Sequence, residues 1–357
     1  MITVTKTYLP NKEKYKKYID EIYKNGWITN NGPLVQKLEK KLAKYLGVKN
    51  IVLVSNGTAA LEIAYRTLDI DGEVITTPFS FVATTSSLIT NGLTPIYADI
   101  DKETLNIEPN KIQKMITSSI KAIVPVHIFG NACNIDQIDT IAKKNNLKVI
   151  YDASHAFDIR YKEKNILNYG DISTLSFHAT KLFHTIEGGA LVINDDKLVK
   201  KARYLINFGI ENSESIPELG TNAKMNEFEA AMGLCVLDEI EFIKEKRETL
   251  YKTYEKELKG FVQFQKQNTN ATRNHSYFPV ILEDEQQTLK IQRALNDKEI
   301  YPRRYFYPSL DTLSYITPKQ LMPNSRHMSC RILSLPLYPG LKEKEQIDII
   351  NIIKSNL

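Results

Sequence analysis

Cysteine, tryptophan and long apolar runs are scarce in this chain. Cys133, Cys235 and Cys330 are its only cysteines and lie far apart without a Cys-x-x-Cys pair. Neither a disulfide framework nor a zinc site is therefore supported, and the three read as buried hydrophobes or bystanders. A membrane span needs about 18 or more consecutive apolar residues, and no stretch supplies them. The opening stretch MITVTKTYLPNKEKYKKY has no apolar signal core, so the cytoplasm is the expected compartment. Neither G-x-G-x-x-G nor G-x-x-x-x-G-K-[ST] follows a strand pattern, which removes the main support for a dinucleotide or P-loop site. The six histidines show no metal-ligand spacing, so no metal is expected. A dominant charge sign is missing too. The 47 basic and 42 acidic residues leave a formal charge of +5, dispersed and too mild for a nucleic-acid footprint, although a local basic pocket for an anionic substrate stays open.

What is present is ample apolar material. At 357 residues and 42% hydrophobic content, the chain can bury a large core, with residues 1–240 read as a large α/β domain and 241–357 as a smaller α+β domain. Asn11 to Asn25 has the pattern of a charged amphipathic helix, broken by the turn residues of GWITNNGP around the single tryptophan. Pro33 then opens a helix with leucines at 34, 38, 42 and 46 and Gly47 as its stop. From Ile51 onward, short apolar strands alternate with helices: Ile51–Val54, Glu73–Thr76, Thr94–Ala98, Ile120–Val126 and Leu147–Tyr151. That alternation implies a mainly parallel sheet with right-handed crossovers and helices on both faces. A single long helix is expected over Met225–Leu258, bridging the domains. Strands at Val262–Phe264 and Tyr277–Leu282, and helices at Gln286–Asn296 and Lys342–Ile353, are expected beyond it.

Sites in such sheets sit at the carboxyl ends of strands. The rule singles out Phe79-Ser80-Phe81, His127, and Asp152-Ala153-Ser154-His155, and Ser55-Asn56-Gly57-Thr58 stands out separately as a glycine turn after the first strand. The Gly57 turn opens a helix, so free amides and the positive end of the helix dipole make either a phosphate site or an ordinary capped turn. Asp152 is placed either to hold a cationic ring nitrogen or to cap a helix. Ser173–Leu191 is the stretch around which the rest is organised. It presents Lys181 among Ser176, Thr180 and Thr185, with no acid within five residues, which suits a desolvated nucleophilic amine. A solvated loop cation is the alternative for any lysine in a chain this basic.

Taken together, WITNNGP, TTPFSFVAT, PVHIFGNACNID, YDASHAF, SFHATKLFHTIEGGA, GTNAKMNE and RRYFYPSL resemble the DegT/DnrJ type of nucleotide-sugar aminotransferases almost from end to end. The sequence departs from the pattern at Ser154 and in NAKMNE. The resemblance implies an aspartate-aminotransferase (type I) fold and pyridoxal 5′-phosphate as cofactor. Lys181 would bind the cofactor aldehyde and move the proton, and Asp152 would keep the pyridinium protonated. Gly57, Thr58 and Ser176 would hold the phosphate, joined by Asn222 from the partner of a homodimer. Phe81 would stack on the ring, His155 would lie at its edge, and Thr29, Asn30, Arg304 and Tyr307 would face the nucleotide sugar. The implied substrates are L-glutamate and a dTDP-4-keto-6-deoxy sugar, giving dTDP-4-amino-4,6-dideoxyglucose. Amination at C-3 and a non-catalytic regulator are the rival readings. A relative that removes a hydroxyl carries histidine where Lys181 stands.

Overall fold

The computed structural model describes residues 1–357. Its centre is a seven-stranded sheet in the order Ile51–Val54, Gly189–Ile193, Ile172–Ser176, Lys148–Asp152, Ile120–Val124, Glu73–Thr76, Thr94–Tyr97. All strands run parallel except Gly189–Ile193, which is antiparallel to both neighbours. Helices cover both faces, so the strands are largely buried, and Ile51–Val54 and Gly189–Ile193 are continuous apolar runs. Leu53 and Ile75 join one core with Leu34, Leu38, Ala230 and Leu234, whereas Val52, Val54 and Val74 join another with Ala60, Ile63 and Leu205. No helix is long and apolar enough to cross a membrane.

A separate C-terminal core gathers Leu250, Tyr254, Phe278, Val280, Leu335 and Ile349. The helix expected over Met225–Leu258 is in fact two, Glu227–Asp238 and Ile240–Leu258, meeting at Glu239. Neither Gly nor Pro marks that break. Instead, the Glu239 carboxylate accepts bonds from the Tyr8 hydroxyl at 2.5 Å and the Asn11 amide at 3.1 Å, so the N-terminal segment is tied to the joint. Along the second helix, Ile240 and Ile243 pack into the large core and Leu250 onward into the C-terminal one. We therefore place the domain division inside this helix, and assign Ile2–Thr3 to the C-terminal unit because it pairs with Ile300–Tyr301. The strand expected at Val262–Phe264 reduces to isolated bridges. Helix Pro323–Arg331 and strand Ile332–Leu335 form where no element was expected.

Helix Pro33–Leu46 begins on Gly32, which has no side chain to cap it. The buried carboxylate of Glu227 does so from another helix, accepting the amides of Leu34 at 2.8 Å and Val35 at 2.9 Å. A Cβ at Gly32 would lie 2.6 Å from the Glu227 carboxyl carbon, so glycine is required there by the close approach. Glu227→Ala leaves two amides without their acceptor and should lower unfolding free energy by about 2–4 kcal/mol, read as an earlier denaturation midpoint.

Candidate active site

A cleft of about 400 Å³ opens at the carboxyl ends of the strands and collects residues from both units. One corner is the Gly57 turn. Asn56 caps helix Gly57–Thr67 by accepting the Ala59 amide at 2.8 Å. The amides of Gly57 and Thr58 lie before the first intrahelical bond and are free to meet an anion. A Cβ on Gly57 would sit 2.7 Å from the Ser176 Cβ and 3.1 Å from its Oγ, so the missing side chain brings that hydroxyl against the turn.

Asp152 forms the second corner. It ends strand Lys148–Asp152 and is only 5% exposed. Its Oδ2 accepts the Thr84 hydroxyl at 2.8 Å and its Oδ1 the Ser154 amide at 3.1 Å. No lysine, arginine or histidine lies within ion-pair distance of it. A buried carboxylate without a cation is costly, so a cationic group brought into the cleft would meet a site already made for it. Lys181 occupies the third corner, held by its amide on the His178 carbonyl at 2.9 Å. Its Nζ has no acidic partner and donates to the Tyr277 hydroxyl at 3.3 Å.

His155 stands between these groups as a neutral wall. Burial first, then the charge of Lys181 and the nearby His127, hold its pKa well below the usual imidazole range. Its Nδ1 accepts the Phe129 amide at 3.3 Å, which leaves the proton on Nε2. The ring is parallel to that of Phe306 at 5.7 Å. His127 does not reach the cleft. It is fully buried and pulled down to about 3 by that burial, stacks on Tyr151 at 4.7 Å, and accepts the Cys133 amide at 3.1 Å. His178 lines the cleft rim, turned to Thr180 at 2.8 Å and to Glu187 at 3.6 Å.

The single chain thus brings together Gly57, Thr58, Phe81, Asp152, His155, Ser176 and Lys181. It does not bring Thr29, Asn30, Asn222, Arg304 or Tyr307 into the same cleft. Thr29 and Asn30 lie on the loop before Pro33, and Asn222 is exposed with its Oδ1 accepting from Lys224 at 2.8 Å. Arg304 is turned away, paired with Glu285 at 2.6 Å and stacked 3.6 Å over Tyr307. Its neighbour Arg303 faces the cleft and has no carboxylate partner. The reason is extended backbone: Arg303 pairs with Ser334, and successive side chains in such a stretch alternate in direction. Tyr277 and Tyr305 also line the cleft; no local pattern marks Tyr277, whereas Tyr305 lies within RRYFYPSL beside the residues expected to face the sugar.

A mainly parallel sheet that gathers a lysine, a buried carboxylate and an anion-binding turn in one cleft is the arrangement of the type I pyridoxal-phosphate fold. The chain belongs to the DegT/DnrJ/EryC1/StrS aminotransferase family, whose model matches residues 10–354. It is 41% identical, over all of its length and 98% of the relative's, to the dTDP-4-amino-4,6-dideoxy-D-glucose transaminase of Shigella dysenteriae. The Escherichia coli transaminase of the same name is 37% identical, over 99% of this chain and 98% of its own. Among solved structures, that of DesI in the presence of its TDP-sugar product superimposes with a TM-score of 0.94 at 30% identity, over 99% of this chain and 92% of DesI.

Proposed function

We propose that this aminotransferase uses pyridoxal 5′-phosphate to move an amino group from L-glutamate to C-4 of dTDP-4-keto-6-deoxy-D-glucose, in the cytoplasm, as a homodimer. The observation that carries the reading is the buried, cation-free Asp152 sharing one cleft with Lys181. The names of the two transaminase relatives support the sugar and the position of amination. When bound, the cofactor supplies an aldehyde for the amine and a protonated ring that draws electrons from the reacting carbon.

Gly57, Thr58 and Ser176 would hold the phosphate, and Phe81, half-exposed at the head of helix Val82–Thr90, would pack against the bound cofactor. Asp152 keeps the ring nitrogen protonated, with its remaining lone pairs oriented by Thr84 and Ser154. Lys181 would be the residue that binds the cofactor aldehyde, and its Nζ would carry the proton during transfer. His155, its pKa held down by burial, would stand beside the bound cofactor without competing for that proton. Asn222 serves the partner's phosphate, a role supported by its exposure outside its own cleft and by the exposed apolar residues Phe208, Ile216 and Leu219 on the preceding loop. A regulator that merely binds the nucleotide sugar would need neither Lys181 nor Asp152.

The test is to incubate the loaded enzyme with L-glutamate and the 4-keto sugar and assign the product by NMR. Nitrogen on C-4 is expected. Nitrogen on C-3, or no amino sugar, overturns the reading.

Arg303 is the cation available to the nucleotide-sugar diphosphate, and Thr29, Asn30 and Tyr307 stay candidates for the rest of the nucleotide and sugar. Arg303→Gln should raise KM for the nucleotide sugar roughly 10- to 100-fold, as loss of a charge-assisted bond does. Arg304→Gln should instead lower stability with little change in that KM, because its partner is Glu285. Steady-state kinetics and thermal melts of the two variants check this.

A further inference from the structure

Lysine side chains are long and flexible, and one that binds and releases a cofactor in every cycle must be kept near the reacting carbon after each release. Lys181 has one hydrogen-bond partner for its Nζ, the hydroxyl of Tyr277 at 3.3 Å, and the amine also lies 5.9 Å from the centre of that ring. No carboxylate pairs with it. His178 faces Thr180 and Glu187, and His155 is occupied by the Phe129 amide. Of the polar side chains around the cleft, only the Tyr277 hydroxyl lies within hydrogen-bond distance of the amine.

The position of that hydroxyl is well determined. Tyr277 directly precedes strand Phe278–Ile281, which is buried throughout and paired with Ile332–Leu335. Its ring sits edge-on to His155 at 4.8 Å, and at 5.6 Å from Phe129 and 6.1 Å from Tyr305. The C-terminal unit therefore reaches into the cleft and presents one phenol to the amine.

We infer that Tyr277 is the docking partner of the free Lys181 amine: its hydroxyl holds Nζ in the cleft while the lysine is not covalently engaged, which keeps the proton-carrying nitrogen in reach. The inference rests on the reading of Lys181 given above. In the proton balance, Nζ donates one N–H to the Tyr277 oxygen and keeps its lone pair free. The nitrogen takes the proton from the substrate carbon and delivers it to the cofactor carbon, while Tyr277 retains its own proton throughout. No oxidant or further reactant is needed.

Tyr277→Phe removes one oxygen and keeps the aromatic packing. Mixing the apo-protein with pyridoxal phosphate should give the same final visible absorbance as wild type, but its appearance should slow roughly 10-fold. In rapid mixing with L-glutamate, the half-reaction should slow roughly 30-fold or more with the apparent donor affinity within threefold, and the isotope effect from deuterium on the donor α-carbon should rise. A variant that matches wild type in capture rate and isotope effect overturns the assignment, even if its melting temperature falls, because that pattern is packing alone. The two readings fail separately. If Lys181→Ala still forms the visible band, the reading of Lys181 falls; if Lys181→Ala is colourless and Tyr277→Phe behaves as wild type, only the role of Tyr277 falls.

Discussion

Lys181→Ala should yield a folded protein that lacks the visible absorbance of covalently held pyridoxal phosphate and turns over at least about 10⁴-fold more slowly, the upper range for a positioned acid–base group. The magnitude follows from the isolation of this amine. It has no acidic partner, its only bond is to a phenol, and His155 is held neutral beside it by burial. The fold should survive because Lys181 is anchored through its backbone to His178 and lies at a cleft rather than in a core. Absorbance spectra, circular dichroism and turnover of the purified variant measure the three parts of this expectation.

Asp152→Asn should retain cofactor while kcat falls roughly 10²- to 10³-fold, the size expected when one fixed charge is removed from its partner in a water-poor site. The carboxylate now accepts from Thr84 on one oxygen and Ser154 on the other. An amide keeps one of those bonds, turns a donor toward the other, and offers no charge to keep a ring nitrogen protonated. The phosphate corner at Gly57 and Ser176 is untouched, so occupancy should persist where turnover does not. A cofactor titration set beside steady-state kinetics separates the two effects.

The parts of the site that were legible in the sequence are those made by local patterns. Gly57, Asp152 and Ser176 each follow or end a strand and share the cleft with Lys181; strand-end placement singled out Asp152, the glycine turn marked Gly57, the make-up of its own stretch marked Lys181, and the family resemblance supplied Ser176. The same rule also selected His127. Whether a residue past a strand end turns outward or inward depends on tertiary partners, and His127 turns in to Tyr151 and the Cys133 amide. Tyr277 and Arg303 come from the distant C-terminal unit and reach the cleft only through packing. Between Arg303 and Arg304, adjacent and chemically alike, backbone direction decides which faces the cleft. The joint at Glu239 was hidden for a related reason. Helical spacing continues across it, and what stabilises the break is a pair of bonds from Tyr8 and Asn11, more than 200 residues earlier.

That the Lys181 amine and the Asp152 carboxylate serve one cofactor is tested most directly by trapping the covalent bond. Reduction of the loaded enzyme with borohydride, followed by proteolysis and mass mapping, should place the added cofactor mass on the peptide that contains Lys181, in the wild type and in Asp152→Asn alike. Modification of any other lysine, or none in the wild type, contradicts the account.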